Sequence, residues 1–228
     1  MLIITRYSRG PNSAYHSIGA LEQAIAHGGD MISLPVRTTS DKQLVLTAKA
    51  SIGPKASLTR VRSASLKQIR RCTAGTKRPI VTLDGVLKKL YGATMIEIEI
   101  YEWSAASTLV TLLKNYAKRK SDWSSLLITS ENPLLLMRVR KLAPHALLCL
   151  KHGRYPLTFA TWQPVLGLSA VGFRRMSLST VAVEAARKLD LLIYVHTVNR
   201  PKSLKILEKS GVDAVVTDTP EKLIKFTG

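Results

Sequence analysis

From Met95 to Glu102 the chain reads Met-Ile-Glu-Ile-Glu-Ile-Tyr-Glu. Ile96, Ile98 and Ile100 alternate with Glu97, Glu99 and Tyr101, and strict alternation in a β-branched run predicts a strand with one apolar and one polar face. Two readings follow. In a parallel barrel covered by helices, the isoleucines pack under those helices while the two glutamates and Tyr101 point into the lumen. In an ordinary antiparallel strand the glutamates simply face water.

The rest of the pattern bears on that choice. Leu2–Thr5 reads as a first strand, followed by a Gly, Pro, Asn and Ser loop from Ser8 to Ser13. Ser17 is positioned to cap a helix running to His27, with Leu21, Ala24 and Ile25 on one side and Gly28-Gly29 as its stop. Met31–Val36 is a second strand, Leu44–Thr47 a short extended piece, and Ala50–Ser65 a long stretch without periodicity. Helices are expected over Leu66–Cys72, from Thr82 to Tyr91, and over Ser104–Lys120. Beyond them the strands Ser125–Thr129, Ala146–Lys151, Val165–Ala170, Leu191–Val198 and Ala214–Thr217 alternate with helices over Pro133–Leu142, Ser179–Leu189, Lys202–Ser210 and Pro220–Phe226. Only Tyr155–Gln163 is irregular. Eight strands alternating with helices and no linker predict an α/β protein, a (β/α)8 TIM barrel forming a single domain over residues 1–228.

Composition narrows the picture less than charge does. With 46% hydrophobic residues the chain has enough for a large core, and every apolar run falls well short of the roughly 20 residues a membrane span needs. Met-Leu-Ile-Ile-Thr is too short for a signal segment, so the expectation is a cytoplasmic protein. Cys72 and Cys149 are too few for a disulfide framework and are expected to be buried thiols. Against 15 acidic residues stand 34 Lys and Arg, a formal net charge of +19. Such a field attracts nucleic acid or an acidic membrane surface, to which the protein would be peripheral, or steers a small phosphorylated ligand. The cations fall in groups (Arg60, Arg62, Lys67, Arg70 and Arg71; Lys114, Lys118, Arg119 and Lys120; Arg138, Arg140 and Lys141; Lys202, Lys205 and Lys209), mostly at helical spacing and without interleaved aromatics.

Sites in such barrels lie where strands end. Those ends offer Arg6, Ser33, Glu99 with Tyr101, Ser130 with Glu131, Lys151 with His152, His196 with Asn199, and Thr217 with Asp218. Four stretches then give the sequence a resemblance over its whole length. Tyr194-Val195-His196-Thr197-Val198-Asn199 sits where the glycerophosphodiester phosphodiesterase family has a strand ending in Trp-Thr-Val-Asn, and Gly211–Pro220 follows that family's Gly-Val-Asp-Gly-Ile-Ile-Thr-Asp-x-Pro. Ile80–Leu87 resembles its Ile-Pro-Thr-Leu-Glu-Glu-Val-Leu, and Ile98-Glu99-Ile100 its Ile-Glu-Ile-Lys. The resemblance implies a TIM barrel, phosphoric diester hydrolysis in lipid metabolism, a divalent metal such as Mg or Ca held by carboxylates, and two catalytic histidines.

The departures fall on those very groups. The family's His-Arg-Gly falls on Arg6-Tyr7-Ser8, or on Ser8-Arg9-Gly10, and neither supplies a histidine. Its Pro-Glu-Asn-Thr falls on Ala14-Tyr15-His16-Ser17, its Glu-x-Asp on Ser33-Leu34-Pro35, its second His-Asp on Ala48-Lys49, and its strand-three lysine on Tyr101. Glu99 alone is retained as a metal ligand. One carboxylate is a poor site for a hard cation, so no cofactor is expected. The leading expectation is a catalytically degenerate member with a basic, anion-binding mouth, in which Arg6, Lys151, His196 and Asn199 would contact a phosphate-containing ligand and Glu99 would pair with Arg6 or Lys151. A second is an active hydrolase of glycerophosphodiesters, rebuilt around Glu99, His196 and His152 as catalytic candidates. A third is a basic scaffold for nucleic acid or anionic lipid.

Overall fold

The structure, a computed structural model, describes residues 1–7, 17–54, 58–74, 79–152, 155 and 157–226. In chain order its elements are β1 (Leu2–Arg6), α1 (Ile18–Ala26), β2 (Met31–Thr38), β3 (Leu44–Leu46), β4 (Ser51–Ile52), β5 (Thr59–Arg60), α2 (Leu66–Thr73), α3 (Leu83–Leu90) and β6 (Met95–Ile100). There follow α4 (Trp103–Leu113), β7 (Leu126–Ser130), α5 (Pro133–Leu142), β8 (Leu147–His152), α6 (Thr158–Leu166), β9 (Ala170–Arg174), α7 (Thr180–Lys188), β10 (Leu192–His196), α8 (Lys202–Lys209), β11 (Ala214–Thr217) and α9 (Pro220–Ile224). Eight parallel strands close in the order β1-β2-β6-β7-β8-β9-β10-β11, with β11 returning to β1 through Leu2 opposite Ala214. The end of β2 runs on past β1 and pairs antiparallel with β3, Val36 facing Leu46.

Local chemistry sets many of the boundaries. Ser17 and Ser179 accept the Ala20 and Ala182 amides, Thr82 accepts the Gly85 amide, and Asn132 caps α5 ahead of Pro133, whose missing N–H costs nothing there. Ser65 and Gln68 make a reciprocal capping box at α2.

The two faces of each strand enter different cores. Ile96, Ile98 and Ile100 join the large cluster between barrel and helices, whereas Ile4, Met31, Leu127, Cys149, Ala170, Tyr194, Ala214 and Val216 fill the lumen floor. Glu97, on the polar face of the same strand, is fully buried. The barrel reading of that stretch is therefore the one that holds.

Three boundaries differ from the sequence expectation. The sixth barrel strand is Ala170–Arg174, not Val165–Ala170: Val165 and Leu166 complete α6, which buries Phe159 and Leu166 and ends at Gly167 with φ +55. Gly172 reads as a strand breaker, yet it sits mid-strand because a Cβ there would lie 2.6 Å from the Tyr194 ring. The helix expected to reach Lys120 stops at Leu113, and the aperiodic Ala50–Ser65 segment holds the β4–β5 hairpin. Cys72 is only half-buried, beside the Thr59 hydroxyl, and both cysteines are free. Among the described residues no helix is long and apolar enough to cross a membrane. The loop from Ser8 to Ser13 and His16 lie outside the described residues.

Candidate functional site

The chemistry of the lumen begins with Tyr194, whose ring uses the space left by Gly172 to cross from β10 to the opposite strand, β6. Its hydroxyl donates to Glu97 Oε1 at 2.6 Å, and Cys149 Sγ donates to the same hydroxyl at 3.3 Å. One layer nearer the mouth, Lys151 Nζ lies 3.4 Å from Glu97 Oε1 and 2.9 Å from Glu99 Oε2. Glu97 and Lys151 are both buried. Burial alone would raise the Glu97 carboxyl, but Lys151 and the Ser33 and Tyr194 hydroxyls outweigh it and hold the group below the ordinary carboxylate range. Burial likewise opposes the Lys151 ammonium, and the two carboxylates overcome it and hold the group charged above the usual lysine value. Burial and the Glu97 charge together push the Cys149 thiol up to about 12, so it is no nucleophile.

Three further cations at the mouth are also matched. Arg6 donates Nε–H and Nη2–H to the two oxygens of Asp218, both at 2.9 Å, in a fork-to-fork pair. Asn199 braces that pair: its carbonyl accepts from the Asp218 amide and the Thr217 hydroxyl, and its amide reaches Asp218 Oδ2 at 3.4 Å. Arg174 pairs with Glu131 at 3.1 Å, and Arg37 pairs with Glu102 at 2.6 Å while lying over the Tyr101 ring. Burial, then the nearby charge of Glu99, pushes the Tyr101 phenol far above its usual value.

Of the two histidines singled out, only His196 faces the lumen, two residues on from Tyr194 along β10. Burial first, then the Lys151 charge, brings its pKa down to about 3, and its Nε2 has no hydrogen-bond partner among the described residues. His152 alternates with Lys151 and turns outward, where its ring lies between Phe159 and Phe173 at centroid distances of 5.6 and 5.7 Å. Burial lowers it to about 4. The structure thus brings Glu99, Lys151 and His196 to one side of the sheet and does not bring His152 to them. The period of two along β8 was readable, but a strand end by itself does not say which face its last residue takes.

Sequence reasoning also passed over Glu97 as the second partner of Lys151, Asp218 as the partner of Arg6, and Arg174. The first was signalled by its spacing of two from Glu99. The last was hidden because the sixth strand was placed too early.

Do these residues fit the divalent cation that the resemblance implies? The only retained ligand position, Glu99, already holds an ammonium, and Ser33 and Pro35 stand where two carboxylates would be needed. Among the described residues no group of three or more His, Cys, Asp or Glu is arranged to hold a metal ion. The donor set does not fit.

Comparison with known proteins places this site in a lineage. The sequence profile described as the glycerophosphoryl diester phosphodiesterase family matches residues 9–222. A glycerophosphodiester phosphodiesterase of Caldanaerobacter subterraneus subsp. tengcongensis is 26% identical over 99% of this chain and 97% of its own length. A phosphodiesterase from Oleispira antarctica, solved with the product sn-glycerol-3-phosphate, superposes with a TM-score of 0.85 at 15% identity, covering 100% of this chain and 96% of that one. A glycerophosphodiester phosphodiesterase from Thermotoga maritima gives 0.81 at 21%, covering 98% and 97%. At such identities the two superpositions speak to the fold, a (β/α)8 barrel, and the profile speaks to ancestry. With the profile covering most of its length, this chain belongs to the glycerophosphoryl diester phosphodiesterase family.

Proposed function

We propose that this barrel is a catalytically degenerate member of its family, one that does not hydrolyse phosphodiesters through a metal and keeps a mouth able to hold a phosphate-bearing anion. One observation carries the reading: the Lys151 ammonium lies between Glu97 and Glu99, within 3.4 Å of both, so the positive charge facing the retained carboxylate comes from the chain itself. A metal entering there would have to displace a buried ammonium and leave it unpaired, which costs several kcal/mol.

The proton chemistry supports the same reading. A general acid or base works best with a pKa near the working pH. His196 at about 3 and His152 at about 4 are neutral at pH 7, the second faces away from the lumen, and Arg6 stays protonated. None of them fits the task of protonating a leaving alkoxide. The alternative of an active, rebuilt hydrolase is thereby disfavoured.

The anion site draws on the upper lumen. A neutral His196 with its Nε2 protonated would donate to a phosphate oxygen, the partly exposed Arg6 would share its guanidinium between Asp218 and the ligand, and Asn199 would offer its amide. Lys151 would act through Glu99, setting the field of the mouth without touching the ligand. The Oleispira antarctica relative holds sn-glycerol-3-phosphate, which makes a glycerol phosphate the first ligand to try.

The test is a pair of titrations. Calorimetry with Mg2+, Mn2+ and Ca2+ should show no stoichiometric binding, and glycerophosphocholine should not turn over in their presence. Stoichiometric metal binding that disappears in Glu99→Ala would overturn the reading, as would turnover abolished by His196→Ala.

A further inference from the structure

Exposed apolar side chains are not spread evenly over this barrel. Six large ones stand at the mouth end of four consecutive units: Trp103 after β6, Leu134 after β7, Tyr155 and Leu157 after β8, and Met176 and Val181 after β9. β6, β7, β8 and β9 are neighbours in the sheet, so the six form one arc along half of the rim. At the opposite end of the same four units only Leu142 and Val165 are exposed among the described residues. Met176 is fully exposed, and Tyr155 is 71% exposed. They are carried singly or in pairs on four successive strand-to-helix connections.

Cations are interleaved with them. Arg138 lies 5.0 Å over the Trp103 ring, Arg174 and Arg175 directly precede Met176, and Arg200 and Lys202 continue the arc after β10. The acids of this stretch are Glu102, which pairs with Arg37, Glu131, which pairs with Arg174, and Glu184 on α7. Arg175, Arg200 and Lys202 make no ion pair among the described residues.

We propose that this arc is a docking surface for an anionic phospholipid membrane. Leu134, Leu157, Met176 and Val181 enter the acyl boundary, Trp103 and Tyr155 sit at headgroup level, and the arginines meet lipid phosphates. Three considerations select this occupant. Apolar side chains carried singly or in pairs on four successive connections and interleaved with arginines suit a fluid bilayer, which needs no complementary shape. Nucleic acid would use the cations but has no use for protruding aliphatic side chains. A second copy would bring another +19 charge against the same basic arc. Docking in this orientation turns the barrel mouth toward the lipid headgroups. The inference stands apart from the proposed loss of hydrolysis, since neither Glu99 nor Lys151 takes part in it.

The test is co-sedimentation of the full chain with vesicles of phosphatidylglycerol mixed with phosphatidylcholine, against phosphatidylcholine alone. Binding is expected to the anionic vesicles only, to weaken with salt, and to shift Trp emission to the blue in a manner lost in Trp103→Phe. Leu134→Ser/Leu157→Ser/Met176→Ser should bind at least about tenfold more weakly, and each of Arg175→Ser and Arg200→Ser roughly fivefold more weakly. Val165→Ser/Ile206→Ser, exposed away from the arc, should bind as the parent does. Because the Met176 side chain touches no core, Met176→Ser alone should weaken binding with the thermal melt unchanged. Equal binding by the apolar variants, equal loss in the Val165/Ile206 control, or retention of duplex RNA or DNA but not vesicles would each overturn the proposal.

Discussion

Lys151 and Arg71 carry the same formal charge in opposite circumstances. In the mouth Lys151, Arg6 and Arg174 each have a carboxylate within 3.1 Å, and Lys151 has a second at 3.4 Å. Between Lys42 and Leu83 the chain has ten Lys and Arg and no Asp or Glu. Its described members Lys42, Lys49, Arg60, Arg62, Lys67, Arg70 and Arg71 are exposed and make no ion pair among the described residues. More than half of the net +19 therefore belongs to one outer segment rather than to the barrel mouth. A total charge says nothing about where its field is felt. Inside the barrel a cation must be matched because desolvating it alone is prohibitive, whereas on the surface water does the matching.

Removing a charge from each region separates the two regimes most sharply. Lys151→Met leaves the buried Glu97 and the partly exposed Glu99 without their cation and should cost about 3–5 kcal/mol at pH 7 by urea denaturation. Adding Glu97→Gln should recover part of that loss, whereas a loss below about 1 kcal/mol would mean that the pair is not buried as described.

The lumen floor comes next. Gly172→Ala forces a methyl against the Tyr194 ring and should cost about 1–3 kcal/mol, seen as a lower Tm. Tyr194→Phe, which removes the 2.6 Å hydrogen bond to Glu97, should cost a similar amount.

Acid should act through the neutral buried histidines. Their folded values, about 3 for His196 and about 4 for His152, lie below an unfolded value near 6.5, so the unfolded chain takes up protons first. Stability should fall as the pH drops from about 6.5 toward 4, and His152→Phe, an apolar ring between Phe159 and Phe173, should shrink the difference between pH 7 and pH 4.5 by on the order of 1 kcal/mol. The depressed Glu97 carboxyl adds its own loss as the pH falls from the ordinary carboxylate range through its folded value. The raised Lys151 acts at the other extreme, losing its contribution as the pH climbs through its folded value. The smallest effect belongs to the outer segment, where Arg70→Ala/Arg71→Ala should change stability by no more than about 1 kcal/mol, most of it from lost charge at the end of α2.

Where the fold was readable from the sequence, the signal was local. Alternation along Ile96–Tyr101 fixed which side chains share a face, though not that this face is the lumen, and the caps at Ser17 and Thr82 fixed helix starts. Matched against the family's motifs, Ser33 and Pro35 fall where carboxylates are expected and Tyr101 where a lysine is. The sixth strand was misplaced for a non-local reason, since its glycine makes sense only with Tyr194 packed against it. The same limit applies to the site. Residues two apart on one strand share a face, but which cation meets which carboxylate depends on strands that neighbour or oppose one another only after the barrel closes. Sequence determined the barrel and its ancestry, because both rest on short-range pattern. Tertiary structure decided that Lys151 belongs to Glu97 and Glu99, that Arg6 belongs to Asp218 and that His152 looks away, because contacts between distant strands are set by closure and burial together.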